Sequence, residues 1–313
     1  MIFVAGFGRS GTTLLERALG ELPTVQPLGE VIHLWRRSLV DDEPCGCGVP
    51  FSRCEFWRAV GAVAFGGWEN VDAAAIDAAR HAADRLRSIP TLMRARRRGP
   101  TNRSAQLLAD HHRRLYDAAA GVSGTDVVVD SSKHSSLPYS LRADPAIDLR
   151  VVHMVRDSRG VAYSWTKIVE RPEAANGGER LMTRYSPRRA ALLWSAHNAS
   201  VAVLRRSGTP VMAVRYESFV EQPRRVIAAV ARFAALDVDE DAMSFVHGAE
   251  LELAPAHTAS GNPLRFTSGR VRLKQDDAWH EQLPPADQRL VTALTYPQLR
   301  SYGYSRRGSR PRA

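Results

Sequence analysis

The opening stretch, MIFVAGFGRSGTTLLERAL, constrains this chain more than any other. An apolar run at residues 2–7 leads into Gly6, Gly8 and Gly11, then into a segment with Leu14, Leu15, Ala18 and Leu19 on one helical face. A strand that turns through a glycine loop into a helix is the first unit of an α/β sheet. Backbone N–H groups of such a loop, together with the first helical turn, make an anion site that needs no side chain. Gly6 and Gly11 have the spacing of a nucleotide-binding P-loop, and Thr13 fills its final Ser/Thr place. Position 12, where the phosphate-binding lysine belongs, is Thr12, and Arg9 sits inside the loop instead. Asp130, in VVVD, is the one candidate for a magnesium-holding carboxylate. Triphosphate chemistry therefore has little support. A donor with one phosphate carrying a sulfuryl group has less charge, needs no metal, and can be served by Arg9 at the transferring group.

Three further β-branched runs read as buried parallel strands: 127–130 (VVVD), 149–155 (LRVVHMV) and 211–216 (VMAVRY). Helical patterns separate them. Asp157 and Ser158 are cap residues ahead of one helix, and Gly208 closes another. The expected fold is α/β, a P-loop-like parallel sheet flanked by helices, with a helical insertion. One domain is expected over 1–305, the insertion occupying about 55–120, with 72–120 as two amphipathic helices joined near residue 99. Residues 306–313 read as a basic disordered tail. Each strand runs into a polar cluster (GRSGTT, DSSK, RDS, YES), the edge at which open α/β sheets bind ligands.

The 313 residues carry a net charge of +10, concentrated in ten Arg against Asp84 and Asp110 over 80–114 and in four Arg over 306–313. Such a stretch can attract an anionic surface or acceptor. It lacks aromatic interleaving and any nucleic-acid motif, so no nucleic acid is expected as a partner. No apolar run reaches the ~20 residues that span a membrane, and no basic n-region opens the chain, so a cytoplasmic protein is expected. Cys45, Cys47 and Cys54 argue against a disulfide framework. They offer three zinc ligands with no fourth evident, so a structural loop is the expected reading and no metal is expected.

Several segments carry a family resemblance. GFGRSGTTLLERAL resembles the 5′-phosphosulfate loop of sulfotransferases that use 3′-phosphoadenosine-5′-phosphosulfate (PAPS). VVHMVRDSRGVAYSW is similar to their 3′-phosphate segment, RYESFVEQPRRVIAAVARFAAL to their Tyr-Glu segment, and HTASGNPLRFTSG to a late loop of bacterial members. These cover most of the chain outside 40–120. The resemblance implies donor contacts from Gly8, Arg9, Ser10, Gly11, Thr12 and Thr13, a 3′-phosphate site at Arg156 and Ser164, an adenine contact at Tyr216 and a phosphate contact at Arg265.

The same resemblance implies that Glu30, 21 residues after Arg9, takes the acceptor proton, with His33 and His134 as alternative bases. Lys133 matches a lysine at the bridging oxygen, with Ser131 and Ser132 as further donors. Glu30, Arg9 and Lys133 are the catalytic candidates. The acceptor is a carbohydrate, lipid-linked or specialised-metabolite hydroxyl. The alternative activity is a P-loop phosphotransferase, a small-molecule kinase, which would require Mg²⁺.

Overall fold

All four β-branched runs form strands, and a fifth strand joins them. The structure, a computed structural model, describes residues 1–98, 102–170 and 181–305, with side chains over 1–93, 102–170 and 181–305. β1 (Ile2–Ala5), β2 (Val25–Gly29), β3 (Val127–Lys133), β4 (Arg150–Val155) and β5 (Val211–Arg215) form a parallel sheet in the order β2-β3-β1-β4-β5. β1 lies in the middle, so β2 and β3 add on one side and β4 and β5 on the other. The glycine loop after β1 thus sits where the strand order reverses, the usual ligand position in such sheets.

β2 (VQPLG) runs against expectation, because Pro27 lacks a ladder donor and argues against a strand. Its edge position makes the proline tolerable: β2 pairs only with β3, Pro27 opposite Val129. Alternation along β1 divides the core. Ile2 and Val4 join Leu15, Leu19, Phe219 and Ile227 on one face. Phe3 and Ala5 join Trp35, Trp57, Leu108 and Leu115 on the other.

α1 (Thr12–Leu19) follows the loop. Between β2 and β3 lie α2 (Glu55–Phe65), α3 (Ala73–Ala83), α4 (Ile89–Arg98) and α5 (Arg103–Ser123). Residues 72–120 therefore hold three helices rather than two. Asp84 ends α3, and its carboxylate turns to His134 and Ser136 instead of continuing the helix. The expected junction at residue 99 and the tail 306–313 lie outside the described residues. After β3 come α6 (Leu137–Leu141), α7 (Ser158–Thr166), α8 (Pro187–Arg206), α9 (Tyr216–Glu221), α10 (Pro223–Phe233), α11 (Trp279–Gln282) and α12 (Pro285–Ser301). Asp157 caps α7 by accepting from the Arg159 N–H, and Gly208 follows α8 with φ 88°. An antiparallel sheet of β6 (Val246–His247), β7 (Glu250–Leu253) and β8 (Gly269–Arg272) completes the strands. Strands this short carry no periodic signal, so nothing in the sequence announces them.

Candidate active site

The loop approaches its neighbours closely. Gly11 has φ 87°, and a Cβ there would meet Tyr216 Cδ2 at 2.5 Å, so both conformation and contact require glycine. Arg9, although not glycine, also has a left-handed backbone, with φ 72°. The first helical bond runs from the Leu15 N–H to Gly11 O at 3.1 Å, which leaves the amides of Thr12, Thr13 and Leu14 in an open first turn. Ser10 is 1% exposed, and its Oγ has no partner among the described residues. Open amides and an orphaned buried hydroxyl fit an anion bound here. The Arg9 guanidinium lies 5.4 Å from the Trp165 ring centre, and Trp165 Nε1 donates to Gly8 O at 3.0 Å. Burial lowers the pKa of Arg9, while the Glu30 carboxylate acts in the opposite sense.

Glu30 follows β2 directly. Its N–H donates to Ala259 O at 3.2 Å, and Ala259 bridges Gly29. Lys133, at the end of β3, has φ 64° and donates through its ammonium to Glu30 Oε1. Glu30 Oε2 is 3.7 Å from His33 Nε2. The His33 ring meets His134 edge-on at 5.2 Å, and His134 Nδ1 bonds the Asp84 carboxylate. Burial holds His33 well below the ordinary histidine pKa. Burial also disfavours charge on His134, but Asp84 outweighs it and raises that pKa. The ends of β2 and β3 thus bring Glu30, Lys133 and both alternative bases into one group.

Ser131 and Ser132 do not point into this group. Ser131 Oγ donates to Glu16 Oε2 at 2.5 Å, and Ser132 Oγ donates to Asp130. Asp130 is fully buried and also accepts from the Ser132 N–H at 2.7 Å and Tyr116 Oη at 2.5 Å. It lies in the middle of β3 rather than at a strand end, with its carboxylate committed to these protein donors. Glu16 is a support that sequence reasoning missed. From α1 it accepts from the Gly29 N–H at 2.6 Å as well as from Ser131, tying together the strand ends that carry Glu30 and Lys133. Burial pushes its pKa up to about 8. Nothing local distinguishes Glu16 from a surface glutamate of a short helix; only the packing of α1 does.

Arg156, at the end of β4, donates to Arg9 O at 3.1 Å and stacks 4.8 Å from the Tyr216 ring centre, so both residues abut the loop. Its carboxylate partner is Asp276 at 3.2 Å, which Lys167 also reaches at 3.2 Å. Asp276 had no motif to mark it. Ser164 is half-buried on α7, two turns beyond Arg156. Arg265 lies in the short turn Pro263–Phe266. At 1% exposure it donates to Pro44 O at 2.8 Å and Thr258 O at 3.1 Å.

Comparison with known proteins gives a consistent picture. The sulfotransferase domain family matches residues 1–301. Carbohydrate sulfotransferase 5 of Mus musculus is 27% identical over 177 residues, 53% of this chain and 44% of the relative. Carbohydrate sulfotransferase 6 of Homo sapiens is 26% identical over 180 residues, with the same shares. The chain thus matches less than half the length of these curated relatives. Among solved structures, the sulfotransferase domain of the Synechococcus olefin synthase aligns at 20% identity and TM-score 0.49, covering 97% of this chain and 94% of that one. The sulfotransferase domain of the curacin biosynthetic pathway aligns at 15% identity and TM-score 0.46, covering 94% and 97%.

Proposed function

The chain belongs to the sulfotransferase family, and from that membership we propose that it transfers a sulfuryl group from PAPS to a carbohydrate hydroxyl. The observation that carries the chemistry is the Glu30–Lys133 pair beside a glycine loop whose buried Ser10 hydroxyl has no partner among the described residues. PAPS supplies the sulfuryl group and a phosphate leaving group. The loop amides, Ser10, Thr12 and Thr13 hold the 5′-phosphosulfate, and Arg9 balances charge on the sulfuryl oxygens. Glu30 takes the proton of the acceptor hydroxyl as its oxygen attacks sulfur in line. Lys133 stabilises the bridging oxygen as the S–O bond breaks and adenosine 3′,5′-bisphosphate leaves. To do so its ammonium must part from Glu30 Oε1, which frees the carboxylate once the donor is in place.

Arg156 and Ser164 take the 3′-phosphate, and Tyr216 borders the adenine. Names of the curated relatives support a carbohydrate acceptor. The commitment of Asp130 to Ser132 and Tyr116 weighs against a magnesium-dependent kinase. Calorimetry tests the reading. Without Mg²⁺, adenosine 3′,5′-bisphosphate is expected to bind roughly 10- to 150-fold more tightly than 5′-AMP, the worth of one charged hydrogen-bonding site. Equal affinities would remove Arg156 and Ser164 from the donor site.

A further inference from the structure

Three cysteines close together in sequence lack a fourth ligand there, and the fold brings one from 203 residues beyond Cys54. His257 Nδ1 lies 3.3 Å from Cys54 Sγ and 3.8 Å from Cys45 Sγ, and Cys47 Sγ lies 3.9 Å from Cys54 Sγ. All four donor atoms fall within 4.8 Å of one another. A tetrahedral zinc with Zn–S of ~2.3 Å and Zn–N of ~2.0 Å sets sulfurs ~3.8 Å apart and sulfur and nitrogen ~3.5 Å apart. A disulfide would need ~2.05 Å. We propose that Cys45, Cys47, Cys54 and His257 form a structural zinc site.

The surrounding backbone is built to hold these donors. The Cys45 N–H donates to Val49 O and the Gly48 N–H to Cys45 O, both at 2.8 Å, curling the Cys-Gly-Cys segment into a tight turn. Cys54 stands at the N-cap position of α2, and its side chain makes no capping hydrogen bond. The Gly46 N–H donates to Thr258 O at 2.9 Å, and a Cβ at Gly46 would meet Thr258 Oγ1 at 2.3 Å. Glycine is therefore required for the two ligand-bearing segments to touch. Arg265 joins both segments by donating to Pro44 O and Thr258 O. Phe56 stacks on the His257 ring at 5.1 Å and 15°, fixing its plane. Cys45 and Cys54 are buried, and Cys47 and His257 half-buried. A closed set of four protein ligands marks a structural rather than a catalytic zinc.

The site has a mechanical consequence. His257 stands two residues before Ala259, which bridges Gly29 and accepts from the Glu30 N–H. Zinc would thus anchor the segment that holds Glu30 to the start of α2. Metal binding itself does not depend on the donor or acceptor proposed above.

The full chain, loaded with zinc and desalted, is expected to carry about one zinc per chain by atomic emission. Cobalt(II) in its place should give the intense visible bands and thiolate charge-transfer absorption of a tetrahedral site. His257→Ala should lower bound metal several-fold. His257→Cys should restore stoichiometric binding with shifted cobalt bands, a rescue that a purely packing role for the histidine would not produce. Far less than one zinc per chain after loading, an octahedral cobalt spectrum, or a disulfide between any two of the three cysteines would each overturn the assignment.

Discussion

Asp276 pairs with Arg156, the side chain proposed above to meet the 3′-phosphate. Burial pushes its carboxyl pKa up, but Arg156 and Lys167 outweigh that effect and hold it below the ordinary range. With Asp276 33% exposed, the pair contributes about 1 kcal/mol at most. If Arg156 holds the 3′-phosphate as proposed, that phosphate displaces Asp276. Asp276→Asn is expected to tighten adenosine 3′,5′-bisphosphate binding by roughly 3- to 10-fold and leave 5′-AMP binding unchanged. Calorimetry checks this, and an equal gain for both ligands would mean that Asp276 does not compete with the extra phosphate. Glu30→Gln separates chemistry from binding. Turnover should fall by about 10²–10⁴ while bisphosphate affinity holds, and a variant retaining most of its activity would move the base to His33 or His134. At this scale the sequence was informative for Lys133 and Arg156, which follow legible strands, whereas Glu30 was marked only by its distance from Arg9, because the strand before it was not legible. The structural partners of Arg265 were not legible, because an arginine's destination depends on carbonyls remote in sequence. Those of Pro44 and Thr258 could not be paired with it in advance.

Among the elements, α1 shows how the scaffold sustains the site. Glu16 enters the buried face of α1 to accept from Gly29 and Ser131, and its pKa rises from 4.5 to about 8, chiefly through burial. The folded chain thus keeps a proton that the unfolded chain releases above pH 4.5. Stability linked to this group is complete below about pH 4.5 and is lost as pH rises through about 8. A tenfold change in proton affinity corresponds to ~1.4 kcal/mol, so the full loss is on the order of a few kcal/mol. Urea denaturation at a series of pH values tests this. Glu16→Gln should flatten the fall in unfolding free energy between about pH 5 and about pH 8. Parallel pH profiles for the two proteins would show that Glu16 ionises freely in the fold. The four strands legible in the sequence were apolar, β-branched runs. β2 was hidden because Pro27 is acceptable only on an edge, and edge position belongs to the assembled sheet. Glu16 was hidden for the same reason: its partners lie on β2 and β3.

Across the whole molecule, charge is the property most visible in sequence and least resolved by local contacts. Some of the arginines in 80–114 serve the fold: Arg80 pairs with Asp77 at 2.8 Å, Arg113 with Asp144 at 3.0 Å, and Arg114 donates to Ala64 O at 2.6 Å. Arg87 and Arg103 are exposed. Arg94, Arg96, Arg97 and Arg98 lie on the part of α4 from residue 94 on, where the backbone alone is described. The stretch also begins beside the site, since Asp84 bonds His134. Long-range attraction depends on summed charge rather than on any single contact, so the prediction rests on the net +10 and its clustering. Each arginine near an anionic surface contributes ~1 kcal/mol. Changing Arg96, Arg97 and Arg98 together to Gln should therefore weaken sedimentation with phosphatidylglycerol vesicles by roughly 10²-fold at low salt. Wild-type binding should itself fade toward physiological ionic strength, where the Debye length is about 8 Å. Bisphosphate affinity should be the same in both proteins, because the substituted residues are not among those proposed to hold the donor. A second basic source, the four arginines of 306–313, is separated by truncation after Ser305. Vesicle binding that survives the triple substitution and disappears on truncation would assign the attraction to the tail and leave the helical stretch without a role in it.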